Sequence, residues 1–163
     1  MTDWLRRAGR GRPDPESVVV WSVAEGNRGR RWRWAVTHES GLRVVGLAER
    51  LPSGAFGRLE LATAGVLLTF HPDPGGGSAH GNVVAADGVR PIEVDWDDRW
   101  AVGIREDAFG SAVCGWSGVG FAVDLADGLA WREPGEHADV AALKCDERGV
   151  PILDEAVEWP LEE

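Results

Sequence analysis

The sequence predicts an all-β, mainly antiparallel fold: a single-domain β-barrel or β-sandwich with at most one or two short helices. Two observations predict it. Short runs of alternating or continuous apolar residues follow one another along the chain, separated by Gly, Asp and Pro turn signals. Neither a long amphipathic helical pattern nor the βαβ alternation of a parallel sheet is evident. Barrels and sandwiches give the same alternation, so both architectures stay open.

The clearest predicted strand covers residues 31–37. Trp32, Trp34 and Val36 would share one face of it, and Arg31 and Arg33 the other. Further apolar runs bounded by turn residues predict strands at 17–23, 42–47, 58–62, 66–70, 83–85, 90–96, 100–104, 119–125, 129–131 and 150–153.

Three stretches are less regular. Residues 72–82 contain three consecutive glycines and predict the longest loop. Residues 106–112 predict a short helix or an irregular crossing, and residues 138–145 are compatible with strand or helix.

The domain organisation follows from length and composition. A chain of 163 residues suits one domain that buries its own core. Residues 1–16 carry an Arg cluster broken by glycines and prolines, so they predict a flexible Arg-rich N-terminal arm. Residues 17–163 predict a single β-rich domain.

The charge is unevenly distributed. The net charge is −10, which disfavours general binding to phosphate backbones, so nucleic acid is not an expected partner. Residues 1–50 have a net charge of +4 and the remainder −14. The simplest interpretation is that the basic part lies on the acidic part, within one subunit or between two.

The sequence gives three indications of location. No segment is long and apolar enough to span a membrane, and the N-terminal arginines are not followed by the apolar stretch of a secretory signal. Cys114 and Cys145 are the only cysteines, which predicts two free thiols in a reducing compartment. We therefore expect a cytoplasmic protein.

Catalytic fingerprints are missing from the sequence. Phosphate-binding loops, a nucleophile elbow and zinc-ribbon cysteine pairs are all absent, and no cofactor is expected. The strongest acidic cluster contains Asp95 and Asp97, which would share one face of a strand and could hold a cation or divide acid and base roles. A strand end followed by a polar turn, with Arg99 neutralising a neighbour, is the favoured interpretation.

Histidines flank the glycine-rich loop. Folding of the loop could bring His71, Asp73 and His80 together as metal ligands. The ligands would come from a flexible loop and no His-x-His pair exists, so ordinary surface histidines are favoured and no metal site is assigned.

Tryptophan is the most informative residue type, with nine in the chain. Trp21, Trp32, Trp34, Trp96 and Trp100 lie on or beside predicted strands and are the candidate ligand-binding residues. If their rings converge, they could wall a pocket for a small apolar or lipid-like ligand. A solid aromatic core is the alternative, and it is the default for large apolar side chains.

Arginines interleave with these tryptophans. Arg28, Arg31 and Arg33 are the candidate partner-binding residues, because such a row can grip an acidic surface or a ligand carboxylate. The same pattern suits single-stranded nucleic acid, but the acidic total charge argues against that use.

The end of the chain carries a weak resemblance. Residues 141–160 are similar to the strand–turn–strand endings of bacterial β-rich glycolipid-binding domains. The similarity covers some twenty residues and implies a role for none of them.

Three functions are therefore expected, with binding ahead of catalysis. The first is a non-enzymatic domain holding a small apolar ligand in a Trp-lined β-barrel. The second is a homo-oligomeric structural or protein-interaction domain that uses the basic arm. The third is a metal-dependent hydrolase using Asp95, Asp97 and a histidine.

Overall fold

The protein consists of strands and one short helix in a computed structural model that describes residues 3–161. Within these residues, no helix is long and apolar enough to cross a bilayer. The elements are β1 (Arg6–Arg12), β2 (Val18–Gly26), β3 (Gly29–His38), β4 (Gly41–Arg50), β5 (Phe56–Thr63), β6 (Val66–Pro72), β7 (Ser78–Ala85), β8 (Gly88–Asp95), β9 (Ala101–Arg105), α1 (Ala108–Val113), β10 (Val119–Asp124), β11 (Ala130–Glu136) and β12 (Asp154–Glu158).

Two sheets contain all the strands of this part of the chain. The large sheet has nine antiparallel strands in the order β12-β1-β2-β3-β4-β5-β6-β7-β8, a meander with β12 added beside β1. The small sheet has the order β11-β10-β9. In it β9 and β10 run parallel and α1 connects them, so one βαβ crossing is present that the sequence pattern did not reveal.

The core lies between one face of the large sheet, here called the inner face, and the layer formed by α1 and the small sheet. Phe109 of α1 contacts the rings of Trp21, Trp32 and Trp34, with centroid distances of 6.4, 6.1 and 6.2 Å. Farther along the inner face, Phe121 of β10 stacks on Phe70 of β6, with the two ring centroids 4.2 Å apart. Large aromatic side chains from both layers therefore interlock.

The helix is attached to the sheet by a buried carboxylate. Asp107 caps α1, and its Oδ1 accepts a hydrogen bond from the Gly110 backbone at 2.9 Å. Its Oδ2 accepts one from the Trp34 indole, also at 2.9 Å. One side chain thus joins the helix N-terminus to a central strand of the large sheet.

Strand β1 lies in the segment for which the sequence predicts a flexible arm. It pairs with β2 and β12, inside the large sheet. Its inward positions are Gly9 and Gly11, since a Cβ at Gly9 would lie 3.2 Å from the Trp21 ring and one at Gly11 2.6 Å from Leu153 Cβ. An inner face made of glycine leaves no apolar alternation to identify the strand.

Other differences concern boundaries. The long loop predicted over 72–82 is reduced to a turn at 73–77. Strands β6 and β7 extend into the predicted loop and pair there as a hairpin. The helix predicted over 106–112 is present at Ala108–Val113. Between β11 and β12 the chain forms an isolated bridge from Cys145 to Pro151 and no named strand.

The all-β, mainly antiparallel prediction is confirmed. The nine-stranded sheet runs from an edge at β12 to an edge at β8, and no closed sheet is found within residues 3–161.

We predict that Gly46→Ala destabilises the protein by about 1–3 kcal/mol, the usual cost of overpacking a core. Gly46 is on the inner face of β4, where a Cβ would collide with the Trp34 ring. Urea denaturation followed by fluorescence measures the change in the free energy of unfolding.

Gly75→Ala is the matched control. A Cβ there meets nothing within 4 Å, and its φ is not positive. Its unfolding free energy should stay within about 0.5 kcal/mol of the wild type. Equal losses in both variants would contradict close packing at Gly46.

Candidate functional site

The outer face of the large sheet, opposite the core, carries an uncovered apolar row. The strand registers place one aliphatic residue from each of β2 to β8 directly beside the next. Five of its seven members are 42–60% exposed. We call this row the apolar stripe; it consists of Val20, Ala35, Val45, Ala62, Leu67, Val84 and Val89.

A shallow groove follows part of the stripe. It has a volume of about 480 Å³ and extends from Ala8 on β1 to Leu67 on β6. Trp159 forms one wall, because its backbone N–H donates to the Ala8 carbonyl at 3.0 Å and so holds it beside β1. Arg33 and Glu60 supply charge at its border. The groove is therefore mainly apolar and open to solvent.

The outer face is basic over strands β1 to β5. The registers place five arginines and two glutamates there, Arg6, Arg10, Arg31, Arg33 and Arg58 against Glu49 and Glu60. This is a net charge of +3 on a chain whose total is −10. Farther along, Glu93 on β8 carries negative charge.

The three candidate partner-binding arginines have different surroundings. Arg28 lies in the β2–β3 turn, and Arg31 pairs with Glu49 at 2.7 Å. Arg33 is exposed beside the groove, and no carboxylate within residues 3–161 lies within 4.0 Å of its guanidinium. Of the three, Arg33 is the one free to meet a partner at the groove.

The five candidate ligand-binding tryptophans belong to the core. Trp21, Trp32 and Trp34 are at most 4% exposed and surround Phe109. Trp96 is buried, and Trp100 is half-buried with its ring 5.9 Å from that of Trp96. Their ring contacts are with one another and with core phenylalanines, and ligand binding by them stays a prediction.

Asp95 and Asp97 do not converge with a histidine. Asp95 is exposed at the end of β8, in register with Ser78. Asp97 accepts hydrogen bonds from the backbone and side chain of Arg99, which lower its pKa to about 2. A carboxylate held ionised by its own turn fits the interpretation of this segment as a polar turn.

The glycine-rich turn does bring its histidine and aspartate together. Nδ1 of His80 lies 2.6 Å from Asp73, and His71 is the register partner of His80. The hydrogen bond to Asp73 raises the pKa of His80, and bonds from Ser78 and His80 lower that of Asp73. Among the described residues, no group of three or more His, Cys, Asp or Glu side chains has the geometry to hold a metal ion.

A polar network missed by the sequence analysis joins β3, β4 and the residue before the Asp107 cap. Ser17 Oγ is 2.7 Å from Nε2 of His38, the spacing of a nucleophile and its base. However, Ser17 is only 1% exposed, and Arg43 Nη1 lies 2.8 Å from the same Nε2. A neutral nitrogen that accepts from Arg43 has no further lone pair for the Ser17 proton, so the arrangement is structural.

Asp107 is the only buried carboxylate among residues 3–161. Burial raises its pKa, and the hydrogen bonds from Gly110 and Trp34 and the charge of Arg43 act in the opposite direction. The preceding residue, Glu106, has a left-handed backbone with φ of 71° and pairs with Arg43 at 2.6 Å. The turn into α1 is thus held by ionic and hydrogen-bonded contacts.

No protein-family model matches this chain, and no curated protein or solved structure is significantly similar to it. The resemblance of residues 141–160 gains no support from these comparisons. The outer face could have been found from the sequence only through the register of seven strands. When each strand is considered alone, the residues of the apolar stripe look like ordinary exposed positions of an alternating strand.

We predict that the free energy of unfolding of the wild type decreases, relative to that of the Asp107→Asn variant, as pH rises from about 4 to 7. The folded pKa of Asp107 is raised, so its stabilising contribution is complete below the unfolded pKa and is lost as pH increases through the folded value. Urea denaturation at several pH values measures the difference. Asn costs one hydrogen bond at every pH, so only the slope with pH is diagnostic, and a pH-independent difference would contradict the raised pKa.

We also predict that His80 titrates above its ordinary value of 6.5 and that Asp73→Asn moves the midpoint back towards it. The Asp73 carboxylate stabilises protonated His80, and an amide does not. NMR titration of the imidazole protons measures both midpoints. The signal of His137, which stacks on Trp116 outside this hairpin, shows in the same spectra whether the change is local. An unchanged His80 midpoint in the variant would rule out the pairing.

Proposed function

We propose that this protein is a non-enzymatic protein-interaction module that binds an acidic protein partner on the outer face of its large sheet. The observation that carries the proposal is the apolar stripe with its basic flank. Contiguous exposed apolar residues rimmed by polar ones are typical of interaction surfaces.

The extent of the stripe favours a macromolecular partner. It crosses seven strands, which corresponds to about 29 Å at the usual spacing of neighbouring strands. The groove covers only the part of it between β2 and β6. A small apolar ligand in the groove would leave Val84 and Val89 uncovered, whereas a protein surface can cover the whole row.

The charge favours an acidic partner other than a second copy packed face to face. In a symmetric dimer whose two-fold axis passes through this basic flank, the arginines of β1 to β5 would lie against those of the other copy. An acidic surface would instead pair with Arg33, Arg10 and Arg6, for which residues 3–161 provide no carboxylate within 4.0 Å. Such complementarity sets orientation and association rate.

The chain itself provides an example of the expected contact. The acidic strand β12 lies against β1, with Glu155 bonded to Arg12 at 2.8 Å. Trp159, just beyond β12, is one of the residues that line the groove. An acidic segment with an apolar side chain therefore already packs at one margin of this face.

The test is photo-crosslinking from position 45, followed by binding measurements. A benzophenone amino acid at Val45 traps whatever covers the stripe in an extract of the source cells. The trapped protein is then purified and its Kd measured by calorimetry at low and moderate salt. We expect an acidic protein whose affinity falls as salt rises.

Substitutions on the stripe and on its basic flank decide the outcome. We predict that Leu67→Asp and Arg33→Glu each weaken the complex at least tenfold, or about 1.4 kcal/mol. The matched controls are Val119→Asp on the small sheet and Arg99→Glu after β8, both at exposed positions off this face, and they should leave the Kd unchanged. Circular dichroism confirms that each variant is folded.

Three results would overturn the proposal. They are trapping of a second copy of the chain alone, native mass spectra that show a small molecule and no protein partner, and a complex that survives both Leu67→Asp and Arg33→Glu.

A further inference from the structure

A second concave site lies at the end of the large sheet, away from the outer face. The β2–β3 turn, the β4–β5 turn and the N-terminal Trp4 enclose a pocket of about 450 Å³. This volume is within the usual range of small-molecule sites. Its lining combines apolar side chains with polar groups, including Trp4, Leu51, Asn27, Ser53, Arg30 and Arg50.

One of the two arginines is already neutralised. Arg30 Nη2 pairs with Glu25 at 2.7 Å, and its Nη1 donates to the Arg148 carbonyl at 2.7 Å. Its charge and donors are therefore used within the protein.

Arg50 is in the opposite situation. Its Nε and Nη2 donate to the Gly54 carbonyl at 2.9 and 2.8 Å, and within residues 3–161 neither an acceptor for Nη1 nor a carboxylate within 4.0 Å is found. The guanidinium also packs on Gly115, where a Cβ would lie 3.3 Å from Cζ. Burial and the charge of Arg30 lower the pKa of Arg50. A half-buried cation without a counterion is costly, and an anionic ligand would remove that cost.

The surroundings restrict the ligand. Glu25 also borders the pocket and would repel a second negative charge, so a monoanion fits better than a phosphate dianion. Trp4 and Leu51 are 41% and 50% exposed and offer apolar surface for the body of the ligand. The guanidinium edge carrying Nη1 is the one left for a carboxylate oxygen.

We propose that this pocket binds a small monocarboxylate with a planar apolar body, with Arg50 holding the carboxylate and Trp4 covering the body. The site is separate from the outer face, so its failure and the failure of the proposed function are independent.

The test uses 2-naphthoate as the probe, titrated into the full chain and followed by NMR of the indole N–H signals. The Trp4 signal is assigned with Trp4→Phe. We expect a Kd of about 0.1–1 mM for a ligand of this size, with the Trp4 signal shifting most. The uncharged analogue 2-naphthol should bind at least tenfold more weakly, and inorganic phosphate should not displace the probe.

Substitutions locate the charge. Arg50→Gln should weaken binding at least tenfold, and Arg50→Lys, which keeps the charge, should weaken it less. Arg28→Gln, in the same β2–β3 turn but outside this pocket, is the matched control and should bind like the wild type. The wild-type comparison with 2-naphthol needs no variant, so it decides the question even if Arg50→Gln fails to fold.

The proposal is overturned if 2-naphthol binds as tightly as 2-naphthoate, or if phosphate displaces the probe. It is equally overturned if a folded Arg50→Gln variant keeps the affinity, or if the Trp159 signal shifts in place of that of Trp4.

Discussion

The arrangement of the two layers depends on the buried Asp107 carboxylate. A strand in the middle of a nine-stranded sheet and the N-terminus of a six-residue helix both donate to it. The helix is too short to be stable alone and needs this contact together with the Phe109 packing. Because α1 also connects β9 and β10, the position of the whole small sheet follows from it. The two donors offset part of the cost of burying the acid.

This layering determines where binding can occur. The inner face is filled by interlocking aromatic rings. What remains open is the outer face and the hairpin ends. These surfaces have different chemistry. The outer face is broad and apolar with a basic flank, whereas the pocket between the β2–β3 and β4–β5 turns contains Arg50, which has no carboxylate within 4.0 Å among residues 3–161. A single fold thus separates the surface proposed for a protein partner from the pocket proposed for a small acid.

The fold class was predictable because most strands alternate strongly, as at Trp32, Trp34 and Val36. Strand β1 was not, because its buried positions are Gly9 and Gly11, and the Trp21 ring and Leu153 supply the bulk. The site residues were harder to predict. Arg33 and Arg50 resemble every other arginine until the structure shows that neither has a carboxylate partner within residues 3–161. Trp21, Trp32 and Trp34 lie on strands, and Trp96 and Trp100 lie beside β8 and β9, but only the packing shows which layer these rings contact.

The pairing of β1 with β12 has a consequence for how the chain folds. Arg12 and Glu155, which bond across this pair, are 143 residues apart in sequence. On the ribosome, β1 can pair with β2 early, but its other edge stays open until β12 has been synthesised. Contacts between such distant segments form late and slow the folding reaction. During that interval the free edge of β1 is a template for another chain, and the arginines along it oppose such pairing by charge repulsion.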